Sequence, residues 1–243
     1  MPPGTVVDTT TAGRWVPVRV EASVTEAVIG LPSDPMHLDG PLAWGAYQDA
    51  LLDSDPSTLR LPPMREWAHD FALPLATWVR PCTRPDPDPR LLAGDGSSVW
   101  GWACSRADYR ILRHTAAHVR RRPPVDEMAY WTDAPRYHPG LGPRRAANLQ
   151  HQGAWVDGLR WWALADPVRL QQLLDRVTNV GRLVRHGWGR VQSWTVVVDE
   201  SALVRWRDRW MPAAGGVPQT VRAPYHHESR RMPCRLELSC ATQ

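Results

Sequence analysis

Residues 159–198 restrict the fold more than any other stretch of the chain. LRWWALA (159–165) is an apolar run of strand length. Trp161 and Trp162 are adjacent on it, so one faces each side of the sheet. Asp166 stands next as a helix cap, and Pro167 takes the first helical position, where its missing N–H costs nothing. Leu170, Leu173, Leu174 and Val177 then repeat at i, i+3, i+4 and i+7, one face of a helix. Next come VGRLVRHGWGRV (180–191) and a strand pattern, GRVQSWTVVV (189–198). The order is strand, helix, glycine loop, strand.

An earlier unit has a related outline. WVPVRVEASV (15–24) alternates, with Val16, Val18, Val20, Ala22 and Val24 on one face, and Pro17 marks the start of a half-buried strand. Residues 40–53 read as a helix, with Asp39 as its cap, Pro41 in its first turn, and Leu42, Ala43, Ala46 and Ala50 at helical spacing. Strands are expected at 70–80, at 98–104 and near CRLEL at the end. Residues 81–97 are too rich in proline and glycine for a packed element. WRDRW (206–210) places Trp206 and Trp210 four apart on a possible helix, and GGVP (215–218) reads as a turn. Residues 1–14 read as a flexible tail. Residues 105–158 read as a long insertion, a protruding hairpin or loop. The two units together predict an α+β, ferredoxin-like (RRM-like) β-α-β-β-α-β core over residues 15–240 with that central insertion.

Composition matters at the glycine loop. All 29 basic residues are arginine, and Trp 14 contrasts with Phe 1. Arginine is a planar, permanently charged fork suited to phosphate, and tryptophan offers a broad stacking face. The formal net charge is +4, but residues 176–243 carry +6 and residues 1–175 carry −2. The positive charge therefore gathers around the loop, which fits an acidic partner. The four cysteines, Cys82, Cys104, Cys234 and Cys240, form no CxxC pair, so no zinc site is expected. The N-terminus has no signal-peptide pattern and no apolar run approaches a bilayer span, which predicts a cytoplasmic chain.

Glycine lets a ligand approach the main chain, and arginines around it suit an anion such as phosphate. The nucleotide motifs do not fit. A P-loop needs GxxxxGK[ST] between strand and helix, whereas Gly181 and Gly187 are separated by five residues, lysine is absent and the loop runs from helix to strand. A dinucleotide fingerprint fails for the same topological reason. A glycine-rich loop between the last helix and last strand of a ferredoxin-like fold resembles the repeat-associated RNA-binding superfamily of CRISPR systems. MHLDGPLAW (36–44) is similar to the opening of the first helix in the guide-RNA-capping subunit of type IV CRISPR effector complexes, and APYHHESRRMPCRLEL (223–238) resembles that family's ending.

The resemblance implies a non-catalytic subunit of an antiviral ribonucleoprotein. It would cap the 5′ handle of the guide RNA and contact backbone filament subunits and a large subunit, meeting target nucleic acid only indirectly. It implies no cofactor, no metal and no membrane. The implied RNA-binding residues are Gly181, Arg182, Arg185, His186, Gly187, Trp188, Gly189 and Arg190, with Arg144, Arg145 and His37. The alternative is a metal-independent endoribonuclease that processes precursor guide RNA, with histidine as general acid or base. Its candidates are His37, His114, His118, His138, His151, His186, His226 and His227. No His–Tyr–Lys type of cluster is evident. His37 also reads as a loop residue contacting Asp34 or Asp39. His114 and His118 would share a face if that region were helical, but a third metal ligand is missing. Arg120–Arg122 and Arg144–Arg145 read equally as solvated charge or as guides for an RNA backbone.

Overall fold

The structure is a computed structural model that describes residues 6–8, 15–33, 35–52, 71–87, 89–121, 147–223, 225 and 230–239. Its centre is a three-stranded antiparallel sheet in the order β8-β2-β9, built from β2 (Val16–Val24), β8 (Leu159–Ala165) and β9 (Val191–Val198). The alternation in β2 sends Val18, Val20 and Ala22 to one face, and the register sets Val18 against Ala163 and Val20 against Trp161. Helices α1 (Asp39–Leu52) and α2 (Pro167–Leu174) pack on that face, with Leu42, Leu170, Leu173 and Leu174 joining the same buried cluster. Each such leucine contributes about 1.5–3 kcal/mol of burial. The cap of α2 forms as its sequence predicts. Asp166 accepts from the N–H groups of Val168 at 3.0 Å and Arg169 at 3.2 Å, with Pro167 beside it.

The two tryptophans of β8 do separate. Trp161 enters the helix-side core, and its indole donates to Met36 O at 3.0 Å. Trp162 faces the other way and is covered by Arg205, whose guanidinium lies 3.3 Å from the ring centroid, at the end of the short helix α3 (Ala202–Arg205). Both tryptophans are buried.

Beside β8 the chain 104–108 runs without forming a continuous strand. It touches β8 through two isolated bridges, Cys104 to Ala163 and Asp108 to Arg160. A second antiparallel sheet, β1-β4-β5, joins Val6–Asp8, Thr77–Pro81 and Ser98–Trp102. Its first strand lies within the stretch expected to be a tail. A pair formed by β10 (Trp210–Thr220) and β11 (Arg231–Leu236) closes a second core around Trp78, Leu91, Val99, Leu164, Trp206 and Met211.

Three expectations change. Residues 81–97 do contribute to packing: a 3-10 turn at Pro89–Leu91 buries Leu91 completely. GGVP is a bulge within β10 rather than a turn. Pro212 and Val217 both register against Cys234, and Gly215 at φ +70° lets the intervening residues loop out. Trp206 does not sit on an extended helix; it is the buried C-cap of α3.

Within 105–158, β6 (Ile111–Arg121) and β7 (Ala147–Val156) form a long antiparallel hairpin. Residues 122–146 lie outside the described residues. His114 and His118 are on a strand, so four positions separate them by about 13 Å and they cannot share one ion. The two-residue strand β3 (Val28–Ile29) pairs with the other edge of β7. Among the described residues no helix is long and apolar enough to cross a membrane.

Candidate functional site

The glycine loop follows α2 and is a fixed structure. Its first half bridges β3, where the Arg182 N–H donates to Ile29 O at 2.7 Å. Its second half returns with the Gly189 N–H on Ala27 O at 2.9 Å, while the Val180 N–H meets Gly189 O at 2.8 Å. Between them lies a 3-10 turn, Val184–His186, entered through Leu183 at φ +58° and left through Gly187 at φ +85°. Arg182, Arg185, His186 and Arg190 are exposed on it, and Trp188 is half-buried. The Asn179 amide donates to Trp188 O at 3.0 Å and ties the two sides together.

The glycines have different tasks. Gly189 is buried at φ +65°, and a Cβ there would run into Val180 O. Gly181, at φ +89°, would press a Cβ into Ile29 O and the Val28 side chain. Both are needed for the loop to close on itself and on β3. Of the three, only Gly187 has open space where a methyl group would stand.

The loop is continuous with the hairpin. Ile29 bridges Arg182 on one side and pairs with Gly153 of β7 on the other. The sequences of β6 and β7, ILRHTAAHVRR and ANLQHQGAWV, contain no carboxylate. His114, His118 and Arg120 are exposed there, with Asn148, Gln150 and Gln152 opposite Arg120, His118 and Ala116. Arg113 lies 5.4 Å from the Trp155 ring centroid. Arg144, Arg145, Arg122, His138, His226 and His227 lie outside the described residues.

His37 is not on this surface. It is 2% exposed, its ring stacks on Tyr225 with centroids 5.0 Å apart, and among the described residues neither ring nitrogen has a hydrogen-bond partner. Burial, then the charges of Arg209 and Arg106, hold its pKa well below the usual imidazole range. The contact with Asp39 expected for it does not form.

Instead Asp39 belongs to a buried polar cluster that the sequence did not reveal. Its carboxylate accepts from the Tyr225 hydroxyl at 2.5 Å, the Ala223 N–H at 3.1 Å and the Cys104 thiol at 3.7 Å. Asp39 is thus the first residue of α1 and a tie to the chain after β10, rather than a cap for its own helix. Arg209, fully buried, donates to the carbonyls of Trp102 (2.5 Å), Cys104 (2.8 Å) and Val221 (2.5 Å), and to the Tyr225 hydroxyl at 3.3 Å. Burial alone would lower the Arg209 pKa, but the hydrogen bond to the Tyr225 hydroxyl, the charge of Asp39 and the carbonyls around the guanidinium keep it charged. Burial and the Asp39 charge push both Tyr225 and Cys104 up, so both stay protonated. Arg222 is also buried, 4.0 Å from the Trp100 ring centroid and donating to Trp100 O at 2.9 Å. His37 and Asp39 come from MHLDGPLAW and Tyr225 from APYHHESRR, so the two stretches that carried the family resemblance meet here.

No curated protein matches the sequence. A family model described as CRISPR type IV associated protein Csf3 matches residues 97–236. That span takes in β5, the hairpin, β8, α2, the glycine loop and the segment that carries Arg209 and Tyr225, more than half of the molecule, and the chain belongs to the Csf3 family of type IV CRISPR-associated proteins.

Proposed function

We propose that the chain is the subunit of a type IV CRISPR complex that holds the 5′ handle of the guide RNA at the glycine loop without cutting it. Family membership makes it a subunit of such a complex; the handle and the grip are our inference. One observation carries them. The loop is held to β3 by backbone bonds at Arg182 and Gly189, and it projects Arg182, Arg185, His186 and Arg190 outward. A preformed cationic projection beside a carboxylate-free hairpin suits a polyanion, and half-buried Trp188 would stack on a splayed base.

The core fits this reading. We read the order 104–108, β8, β2, β9, with α1 and α2 on one face, as a ferredoxin-like sheet whose second strand is reduced to bridges. The enclosed, neutral His37 favours a structural role over acid–base work. We place the protein in the cytoplasm, beside the filament and large subunits of its complex.

The test incubates the protein with labelled repeat RNA from its own locus, without metal, across a salt series. RNA should stay intact and binding should weaken steeply with salt. Replacing Arg182, Arg185 and Arg190 with alanine should reduce the log–log salt slope by about 2, given about 0.7 per phosphate contact on a single strand. Cleavage at one position in the repeat would instead make the chain a processing endoribonuclease.

A further inference from the structure

β3 stops abruptly beside β7. Its last ladder bond runs from the Gly30 N–H to Gln152 O at 2.8 Å. In an antiparallel strand alternate residues direct both backbone groups to the same side, so the N–H and C=O of Gln150 point past the end of β3. A groove of about 150 Å³ lies there, lined by Gly30, Ser33, Gln150, His151, Gln152 and Arg182. Gln150 and Gln152 are exposed and two apart, so their amides share one face. Each amide offers two donors and an acceptor. Arg182 brings the positive charge of the glycine loop to the opposite wall.

We propose that this groove is a subsite for one unpaired nucleobase of the bound RNA, read by the amides of Gln150 and Gln152 and the open backbone of Gln150. The assignment rests on the RNA-holding reading above. Single-stranded RNA is recognised by splaying a base out and hydrogen-bonding its edge, which needs donors and acceptors side by side. The groove supplies both within two residues, next to a cation for the adjoining phosphate. A partner protein could add a strand to the same edge of β7. The arginines of the neighbouring loop and the lack of any carboxylate in β6 and β7 favour a nucleic acid.

The experiment uses the whole chain with two RNAs of equal length, the repeat RNA of its locus and a uridine homopolymer. Gln150→Ala/Gln152→Ala should weaken the repeat RNA about tenfold and leave the homopolymer unchanged, whereas Arg182→Ala/Arg185→Ala/Arg190→Ala should weaken both. Repeat RNA carrying 4-thiouridine should crosslink to the peptide spanning residues 147–156. Equal loss on both RNAs, loss on neither, or crosslinks confined to other segments overturns the subsite while the arginine result still stands. If the arginine variant also loses nothing, the RNA-holding reading fails with it. Gln150→Pro removes the outward N–H at an edge where proline is tolerated. If that variant keeps repeat-RNA binding but sheds another subunit from the complex, the edge pairs with protein and the nucleobase assignment is wrong.

Discussion

Two groups of arginines lie in the same third of the chain and are used in opposite ways. Arg182, Arg185 and Arg190 stand in water on the glycine loop; Arg209 and Arg222 are sealed inside. The buried pair donates to the backbone carbonyls of Trp100, Trp102, Cys104 and Val221, and at Trp102 it joins the Trp78 indole and the Cys104 N–H. One of these carbonyls, that of Cys104, opens the stretch 104–108, which meets β8 only through isolated bridges. The loop that carries the exposed set is held by main-chain bonds at Arg182 and Gly189 and by the Asn179 amide. Arginine is therefore buried in the core at one place and exposed at the other, and substitutions should separate the two.

The largest effect is expected at Asp39→Ala. It leaves the Tyr225 hydroxyl and the Ala223 N–H without their acceptor and removes the carboxylate that Arg209 meets through Tyr225, so unfolding free energy in denaturant should fall by about 2–4 kcal/mol. A loss below about 1 kcal/mol would mean that water already reaches the cluster.

Next is Gly189→Ala, which combines left-handed backbone with a collision against Val180 O and should cost about 1–3 kcal/mol. Gly187→Ala shares the backbone strain but meets open space, so it should cost less in the same unfolding experiment.

The pH response comes third. His37 titrates near 6.5 in the unfolded chain and well below that in the folded one. Between those values the unfolded chain binds a proton that the folded chain does not. Stability should therefore fall as pH drops below about 6.5, by at most about 1.4 kcal/mol per pH unit from this group. His37→Phe keeps a ring against Tyr225 and should flatten the acid side of a Tm-against-pH curve; an unchanged slope would assign the acid loss to other groups.

The smallest effect on stability is expected for the three loop arginines. Their replacement with alanine should move unfolding free energy by no more than about 0.5 kcal/mol while RNA affinity drops. A large loss of stability there would erase the distinction between the two groups.

Local rules account for what the sequence made visible. Asp166, Pro167 and the leucines after them specify α2 through contacts within a few residues, and Val18, Val20 and Ala22 reveal the inner face of β2 by alternation alone. β3 was invisible because two residues have no period. The bulge in β10 resembled a turn because glycine serves both. Asp39 resembled a cap because a carboxylate before a helix usually is one; its true partners lie 65 to 186 positions away. Arg209 and Arg222 gave no warning, since arginine is ordinarily exposed and only the folded chain shows which carbonyls they meet. The loop was recognisable from its glycines, but the reason for two of them is the closeness of β3 and of Val180, not of a ligand.

β3 and its flanks also have a mechanical meaning. Ala27 O holds one side of the glycine loop, Ile29 O holds the other, and the Gly30 N–H holds β7. Val28 and Ile29 are fully enclosed, so these four residues cannot shift without dragging both attachments. They join β7 to the arginine-bearing loop as four residues in a row, so a displacement of β7 would be passed to the loop through the main chain.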